Sequence, residues 1–116
     1  MSRWKDIYAH LKKAGFEVYS PGQHRGECVS RYVVVKDAGA AQFGGFSSTQ
    51  AKYDILCYVP GQHFSQLEPF VQEVEAAMRG LYPMIRSAHF RTPSFYDDTV
   101  KGHMISTQYI NYQKII

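Results

Sequence analysis

Residues 53–78 read YDILCYVPGQHFSQLEPFVQEVEAAM and decide the fold class, because a strand, a turn and a helix follow one another within them. The first seven residues alternate as a strand does, with successive side chains pointing to opposite faces. Pro60 and Gly61 are expected to end this strand. One predicted face carries Tyr53, Ile55, Cys57 and Val59, and the other carries Asp54, Leu56 and Tyr58.

The second part of the stretch predicts an amphipathic helix that starts near Ser65. Ser65 and Glu68 have the spacing of a capping box, and Pro69 falls near the first turn, where proline is tolerated. Gly80 and Pro83 are expected to close the helix. Its apolar stripe, spaced for one helix face, consists of Leu67, Phe70, Val71, Val74, Met78 and Leu81.

The segments before this stretch predict a first helix and an interior strand. The helix has about three turns, with Ser2 as its expected N-cap and Gly15 as the residue after its end. RYVVVKD (31–37) contains three consecutive valines, which is typical of a strand buried inside a sheet.

The segments on either side complete an α+β domain. QFGGFSSTQ (42–50) predicts a weaker strand with a bulge or hairpin at Gly44 and Gly45. Later strands are predicted at 85–91 and from 103 onward, joined by a loop over 92–102. The order α-β-β-β-α-β-β predicts one domain over residues 1–116, with two helices packed on a mixed, mostly antiparallel sheet.

Composition narrows the class of protein. A chain of 116 residues forms one compact domain, and its nine tyrosines exceed what such a core needs, which favours self-association. The net charge of +3 is mild, the basic residues are scattered, and no nucleic-acid-binding motif is present. Cys28 and Cys57 do not make a secreted disulfide framework. No signal-peptide core or membrane-spanning window is seen, so a reducing intracellular compartment and no membrane partner are expected.

SFYDDTVKGHM (94–104) is the stretch most suggestive of chemistry. Asp97 and Asp98, with His103 and with His89 across the predicted hairpin, could form a metal or acid–base site of a small hydrolase. No known ligand spacing supports this arrangement. The alternative is a polar loop whose carboxylates accept hydrogen bonds from turn N–H groups.

The other candidates for chemistry are weaker. Cys57 lies among aliphatic residues, whereas Cys28 adjoins Arg25 and is expected to be the more exposed thiol; a nucleophilic cysteine needs an exposed, electropositive setting. Neither glycine-containing loop has the spacing of a phosphate-binding motif. No catalytic residue, cofactor or metal ligand is therefore predicted.

Two loops are better suited to binding another protein. The Gly44–Gly45 hairpin is flexible, and the loop over 92–102 is long for a hairpin connection. Both faces of the final strand carry apolar and polar side chains, which suits the strand to pairing or packing with a neighbouring subunit. The predicted interface residues are Phe43, Gly44, Gly45, Phe46, Phe95, Tyr96, Asp97, Asp98 and Lys101.

The chain also resembles a known family in the order and sequence pattern of its strands, helices and loops. The stretches that carry the likeness are AGFEVYSPGQHRGEC (14–28), YVVVKDAG (32–39), residues 53–78, LYPMIRSAHFRTPSFYDD (81–98) and KGHMISTQYINYQK (101–114). In these stretches, over nearly its whole length, it is similar to the small tail-terminator, or tail-completion, proteins of tailed bacteriophages and prophage-derived tail-like particles.

The resemblance implies a structural protein without enzymatic activity or cofactor. Such proteins form a ring, expected here to be a hexamer, that caps the tail tube, ends its polymerisation and offers a surface to the neck or head. The implied partners are other copies of the chain, the tail tube protein, a neck or connector protein and, in a sheathed tail, the sheath. DNA would pass through the ring without specific binding, and the location would be the virion tail or neck after assembly in the host cytoplasm.

Three alternatives stay open at this point. One is a head–tail joining or other neck protein of similar fold. The second is the metal-dependent hydrolase built on Asp97, Asp98, His89 and His103. The third is a nucleic-acid-binding module, whose binding would depend steeply on salt.

Overall fold

The computed structural model describes residues 3–42 and 48–114. No helix in these residues is long and apolar enough to span a membrane. The 3₁₀ turns Phe64–Gln66 and Arg79–Leu81 flank the second helix. The helices and strands are α1 (Trp4–Lys13), β1 (Val18–Tyr19), β2 (Tyr32–Gln42), β3 (Ser48–Pro60), α2 (Leu67–Met78), β4 (Arg86–Arg91), β5 (Phe95–Asp97) and β6 (Gly102–Lys114).

The strands form one mixed, mostly antiparallel sheet. Its order is β1-β2-β3-β6-β4, and β5 pairs with β6 as well. Only β1 and β2 run parallel; every other pairing in the described part of the chain is antiparallel. The predicted α+β fold and the predicted order of its elements are therefore confirmed. The strand with three valines lies inside the sheet, between β1 and β3, as expected.

Both helices pack on the same face of the sheet. α1 packs on β2 and α2, and α2 packs on β3 and β6. The predicted alternation of β3 is confirmed, because Tyr53, Ile55, Cys57 and Val59 are all buried beneath the helices. The helices contribute Ile7, Leu11, Leu67, Phe70, Val71, Val74 and Met78 to this core.

The sequence signal for the end of α1 is confirmed, whereas the signal for the start of α2 is not. Gly15 has φ +100°, and the N–H groups of Gly15 and Phe16 donate to the carbonyls of Lys12 and Leu11 at 3.1 and 3.2 Å, so the predicted glycine stop of α1 is confirmed. The predicted capping box of α2 is wrong. α2 follows a 3₁₀ turn, its N-cap position is Gln66, and no side chain caps it.

Two strands differ from their predicted extents. The predicted separate strand over 42–50 is divided, since Gln42 ends β2 and residues 48–50 begin β3. Part of the predicted loop over 92–102 is the short strand β5. The reason is the length of β6, which pairs with β3 along one edge and leaves its other edge free for both β4 and β5. Ser2 and the Gly44–Gly45 hairpin lie outside the described residues.

Candidate interaction site

In the β5–β6 hairpin (residues 95–104), the Asp97 side chain accepts a hydrogen bond from the backbone of the turn. Phe95 pairs with Met104 and Asp97 with Gly102, which leaves residues 98–101 as the connecting turn. The Oδ1 of Asp97 accepts a hydrogen bond from the Thr99 N–H at 3.0 Å, and its Oδ2 accepts one from the Tyr58 hydroxyl at 3.5 Å. The predicted turn-capping role is thus confirmed for Asp97.

The other predicted contact residues of this hairpin face solvent. Asp98 and Lys101 are exposed, and Asp98 has no ion pair with any residue in the described part of the chain. Phe95 is 51% exposed and Tyr96 is 47% exposed. The remaining predicted contact residues, 43–46, lie outside the described residues.

The predicted metal site is not assembled. Ser87 of β4 pairs with Tyr109 and Arg91 with Thr107, so His89 lies opposite residues 107–109, whereas His103 pairs with Tyr96. The prediction that the two histidines face each other across a hairpin is therefore wrong. Residues 3–42 and 48–114 contain no group of three His, Cys, Asp or Glu side chains placed to hold a metal ion.

His103 instead belongs to a surface aromatic cluster. Its Nε2–H donates to the carbonyl of Gly61 at 3.2 Å. The rings of Phe64 and Tyr96 meet the imidazole edge-on, with centroids at 4.8 and 5.2 Å. Contacts of this geometry are favourable, so the histidine orients two half-exposed rings at the end of the sheet.

The loop over residues 20–31 fixes the hairpin from the sheet face opposite the helices. The Cys28 N–H donates to the Val100 carbonyl at 2.6 Å, and Cys28, Tyr32 and Tyr58 form a second buried cluster. Cys28 is 2% exposed and Cys57 is 0% exposed, so the order is as predicted, but the expectation that Cys28 lies in an exposed setting is wrong. Burial raises the pKa of Cys28 to about 11, so this thiol is protonated and unreactive at neutral pH.

Stacked rings extend this second cluster. His24 stacks on Tyr32 with centroids 4.0 Å apart, and Tyr32 stacks on Tyr58 at 4.7 Å. Burial, together with the nearby Asp97 carboxylate, raises the pKa of Tyr58 to about 12. The stack was missed because its members come from one loop and two strands. Tyr58, on the strand face opposite the core, was its only sequence signal.

A cleft of about 740 Å³ opens between the end of α2 and β4. Met78, Ile85 and Tyr109 give it an apolar floor. β4 makes room for it through a register shift between Ser87 and Arg91. No residue pattern in the sequence indicates this bulge. The other residues that line the cleft are Glu75, Arg79, Tyr82, Arg86, Ser87 and His89.

The charges of this cleft are unbalanced. Arg91 donates to both Glu68 oxygens at 2.8 Å and to Glu75 at 3.0 Å, so Glu75 is already paired. These hydrogen bonds lower the pKa of Glu68. Arg79 and Arg86 have no carboxylate partner among the described residues, which leaves the cleft with two uncompensated positive charges.

The aromatic side chains around the cleft face outward. Tyr82 is 67% exposed beneath the Arg86 guanidinium, which lies 5.5 Å from its ring centroid. Phe90 of β4 is 58% exposed. Phe64, Phe95 and Tyr96, near β5, are exposed as well.

Comparisons with known proteins add no family. A scan of the sequence against protein-family models found no match, and a search of the curated proteins found none.

Proposed function

We propose that this chain is a structural subunit of a phage tail or phage-derived tail-like particle. In this proposal, copies of the chain form a closed ring, expected to contain six subunits, on the end of the tail tube. The ring stops addition of tube subunits and presents a surface to the neck or connector protein and, where present, the sheath. DNA passes through the ring without specific contacts.

The observation that carries this proposal is the set of large apolar side chains left in solvent. Exposed aromatic side chains that cluster, as Phe64 and Tyr96 do around His103, mark a site of protein contact on a small domain, and aromatic residues are enriched at the centres of such contacts. Six large apolar side chains are between 47% and 78% exposed, and all but the valine are aromatic. The six are Val29, Phe64, Tyr82, Phe90, Phe95 and Tyr96.

The distribution of these residues suits a ring. A closed ring with one kind of contact needs two different complementary patches on each subunit. Phe64, Phe95 and Tyr96 lie at the β5–β6 hairpin, whereas Tyr82 lines the cleft and Phe90 follows the cleft residue His89 on β4. The hairpin projects and carries the exposed Asp98 and Lys101, whereas the cleft is concave and carries Arg79 and Arg86 without a carboxylate partner in the described residues.

The chemistry of the hairpin favours a contact over a reaction. Asp97 is engaged by its own turn, and His103 is held by Gly61 and by two rings. Neither side chain belongs to a group of three His, Cys, Asp or Glu side chains placed to hold a metal ion in the described residues. This leaves Asp98 and the exposed rings as groups able to meet another protein.

The test is assembly of tail tubes in the presence of the purified chain. Tube protein should polymerise into short tubes with a ring at one end, seen by negative-stain electron microscopy, whereas tubes grown without the chain should continue to lengthen. A variant with Phe95→Ser and Phe90→Ser should lose the rings but keep its fold, because both side chains are exposed.

Deletion of the coding sequence in a producing strain separates this role from that of a neck protein. Overlong tubes support the terminator role. Tails of normal length without heads would instead indicate a head–tail joining protein. Normal, complete particles would refute both.

A further inference from the structure

The β5–β6 hairpin and the cleft carry complementary groups. The hairpin presents Phe95 and Tyr96 beside the free carboxylate of Asp98. The cleft presents an apolar floor beside the guanidinium groups of Arg79 and Arg86, which have no carboxylate partner among the described residues. Planar guanidinium groups bind carboxylates with two parallel hydrogen bonds, and a cleft of about 740 Å³ is large enough for bulky side chains.

We infer that the cleft of one copy receives the β5–β6 hairpin of the next copy. One aromatic ring of the hairpin covers the apolar floor, and the Asp98 carboxylate lies between Arg79 and Arg86. Lys101, the one base of the turn, stays at the solvent-facing rim. This inference rests on the proposed function, because it supplies the subunit contact that a ring requires.

The hairpin cannot occupy the cleft of its own chain. Both surfaces lie along the same edge of β6, where Tyr96 pairs with His103 and Ser87 pairs with Tyr109. Strand residues advance by about 3.3 Å each, so the two surfaces are about 20 Å apart along β6. The second buried cluster also ties the hairpin to the loop over 20–31. The contact must therefore form between copies.

The same geometry explains why the contact propagates. Each copy has one hairpin and one cleft, and these are different surfaces, so the contact is head-to-tail. Head-to-tail contacts give rings when the rotation between copies closes. A two-fold symmetric dimer would instead bring the same surface of each copy together.

Charge reversal tests this contact in solution by sedimentation velocity. Wild-type protein is expected to self-associate, and Asp98→Lys, or Arg79→Glu with Arg86→Glu, should weaken that association about 30-fold or more, as loss of a desolvated charge pair does. A chain with all three substitutions should recover association. Asp6→Lys, the same charge change on α1 at an exposed side chain, is the matched control and should associate like wild type.

Mixing the two defective variants tests the head-to-tail geometry. The Asp98→Lys chain keeps an intact cleft, and the chain with Arg79→Glu and Arg86→Glu keeps an intact hairpin. The mixture should therefore recover association as oligomers in which the two chains alternate, because each contact between unlike chains pairs opposite charges, whereas each contact between like chains pairs equal ones. If neither variant recovers partners in the mixture, or if both associate like wild type, the inference is overturned.

Cysteine cross-linking gives a second measurement that does not depend on charge. Chains with Asp98→Cys and Arg86→Cys should form a disulfide-linked dimer only when mixed, and neither should cross-link with itself. The native Cys28 and Cys57 are buried and serve as an internal background. Cross-linking of the Asp98→Cys chain with itself would refute the head-to-tail arrangement.

The outcomes separate this contact from the proposed function. Rings on tail tubes that persist in both charge variants would retain the tail role and overturn this contact. A wild-type chain that remains monomeric up to about 1 mM, where a contact of even 4 kcal/mol would be detected, also overturns it. If the chain forms concentration-dependent oligomers that the charge variants weaken as predicted, but never binds tail tubes, the contact is supported and the tail role is refuted.

Discussion

Replacing Gly102 with alanine is expected to loosen the loop over residues 20–31 from the β5–β6 hairpin. A Cβ at this position would lie 2.9 Å from the carbonyl oxygen of Val59 and 3.0 Å from the Cβ of Cys28. The Val59 oxygen belongs to a central strand and cannot withdraw. The backbone at residue 102 must therefore shift away from this oxygen and towards the loop, so Cys28 must move too, and its short hydrogen bond to Val100 moves with it.

The size of the effect follows from the packing. Inserting one methyl into a well-packed interior costs about 1–3 kcal/mol. Unfolding entropy of about 2.1 cal/mol/K per residue amounts to about 0.24 kcal/mol/K for 116 residues. The melting temperature should therefore fall by about 4–12 °C. The Cys28 thiol should also react faster with a thiol reagent, while the fully buried Cys57 should stay protected in the folded protein.

Gly80→Ala is the matched control. Its added Cβ would come as close, 2.9 Å, but to the imidazole of His10, the far end of a side chain that can turn. The expected cost is the weakening of one hydrogen bond from His10 to the Ala77 carbonyl, about 0.5–1.5 kcal/mol, partly offset by the lower chain entropy of alanine. A Gly102→Ala protein that melts with the wild type and keeps Cys28 protected would refute the docking of this loop.

Two further expectations concern the core and the response to alkali. Phe70→Ala, at a side chain 1% exposed, should lower the free energy of unfolding by about 3–5 kcal/mol in urea titrations. Phe64→Ala, at a side chain 54% exposed, should lower it only by the value of its edge-on contact with His103, about 0.5–1.5 kcal/mol; equal losses would contradict the burial of Phe70. The folded-state pKa values of Cys28, about 11, and of Tyr58, about 12, lie above their ordinary values of 9.0 and 10.0. The unfolded chain therefore loses these protons first, and stability that is complete below about pH 9 should decline between about pH 9 and 12. Cys28→Ala should flatten the first part of that decline, and a stability profile unchanged through pH 11 would show that neither group is buried.

Much of the architecture could be predicted because its signals are local. The alternation of β3 and the stripe of α2 each fix one buried face from a few adjacent residues. Gly15 alone specifies the end of α1, since only glycine adopts its φ of +100° without strain. The capping box failed for a tertiary reason, because the Glu68 carboxylate pairs with Arg91 of β4.

The candidate contact surfaces could be predicted only in part. The hairpin was visible as an acidic loop between two strands, and the role of Asp97 followed from turn chemistry. The cleft was not visible, because it depends on a bulge in β4 and on the distance between β4 and α2. The exposure of Cys28 was misjudged for a similar reason, since the segment that buries it is distant in sequence.

The position of β6 has a consequence for how the protein is made. This strand lies between β3 and β4, although it is the last strand described, and it joins residues as far apart in sequence as Ser48 and Lys114. During synthesis on the ribosome, β3 must therefore wait with an unpaired edge until β6 emerges. Such edges invite pairing with other chains, and pairings distant in sequence form slowly. Yield of the folded protein should thus depend on conditions that keep nascent chains apart until the sheet closes.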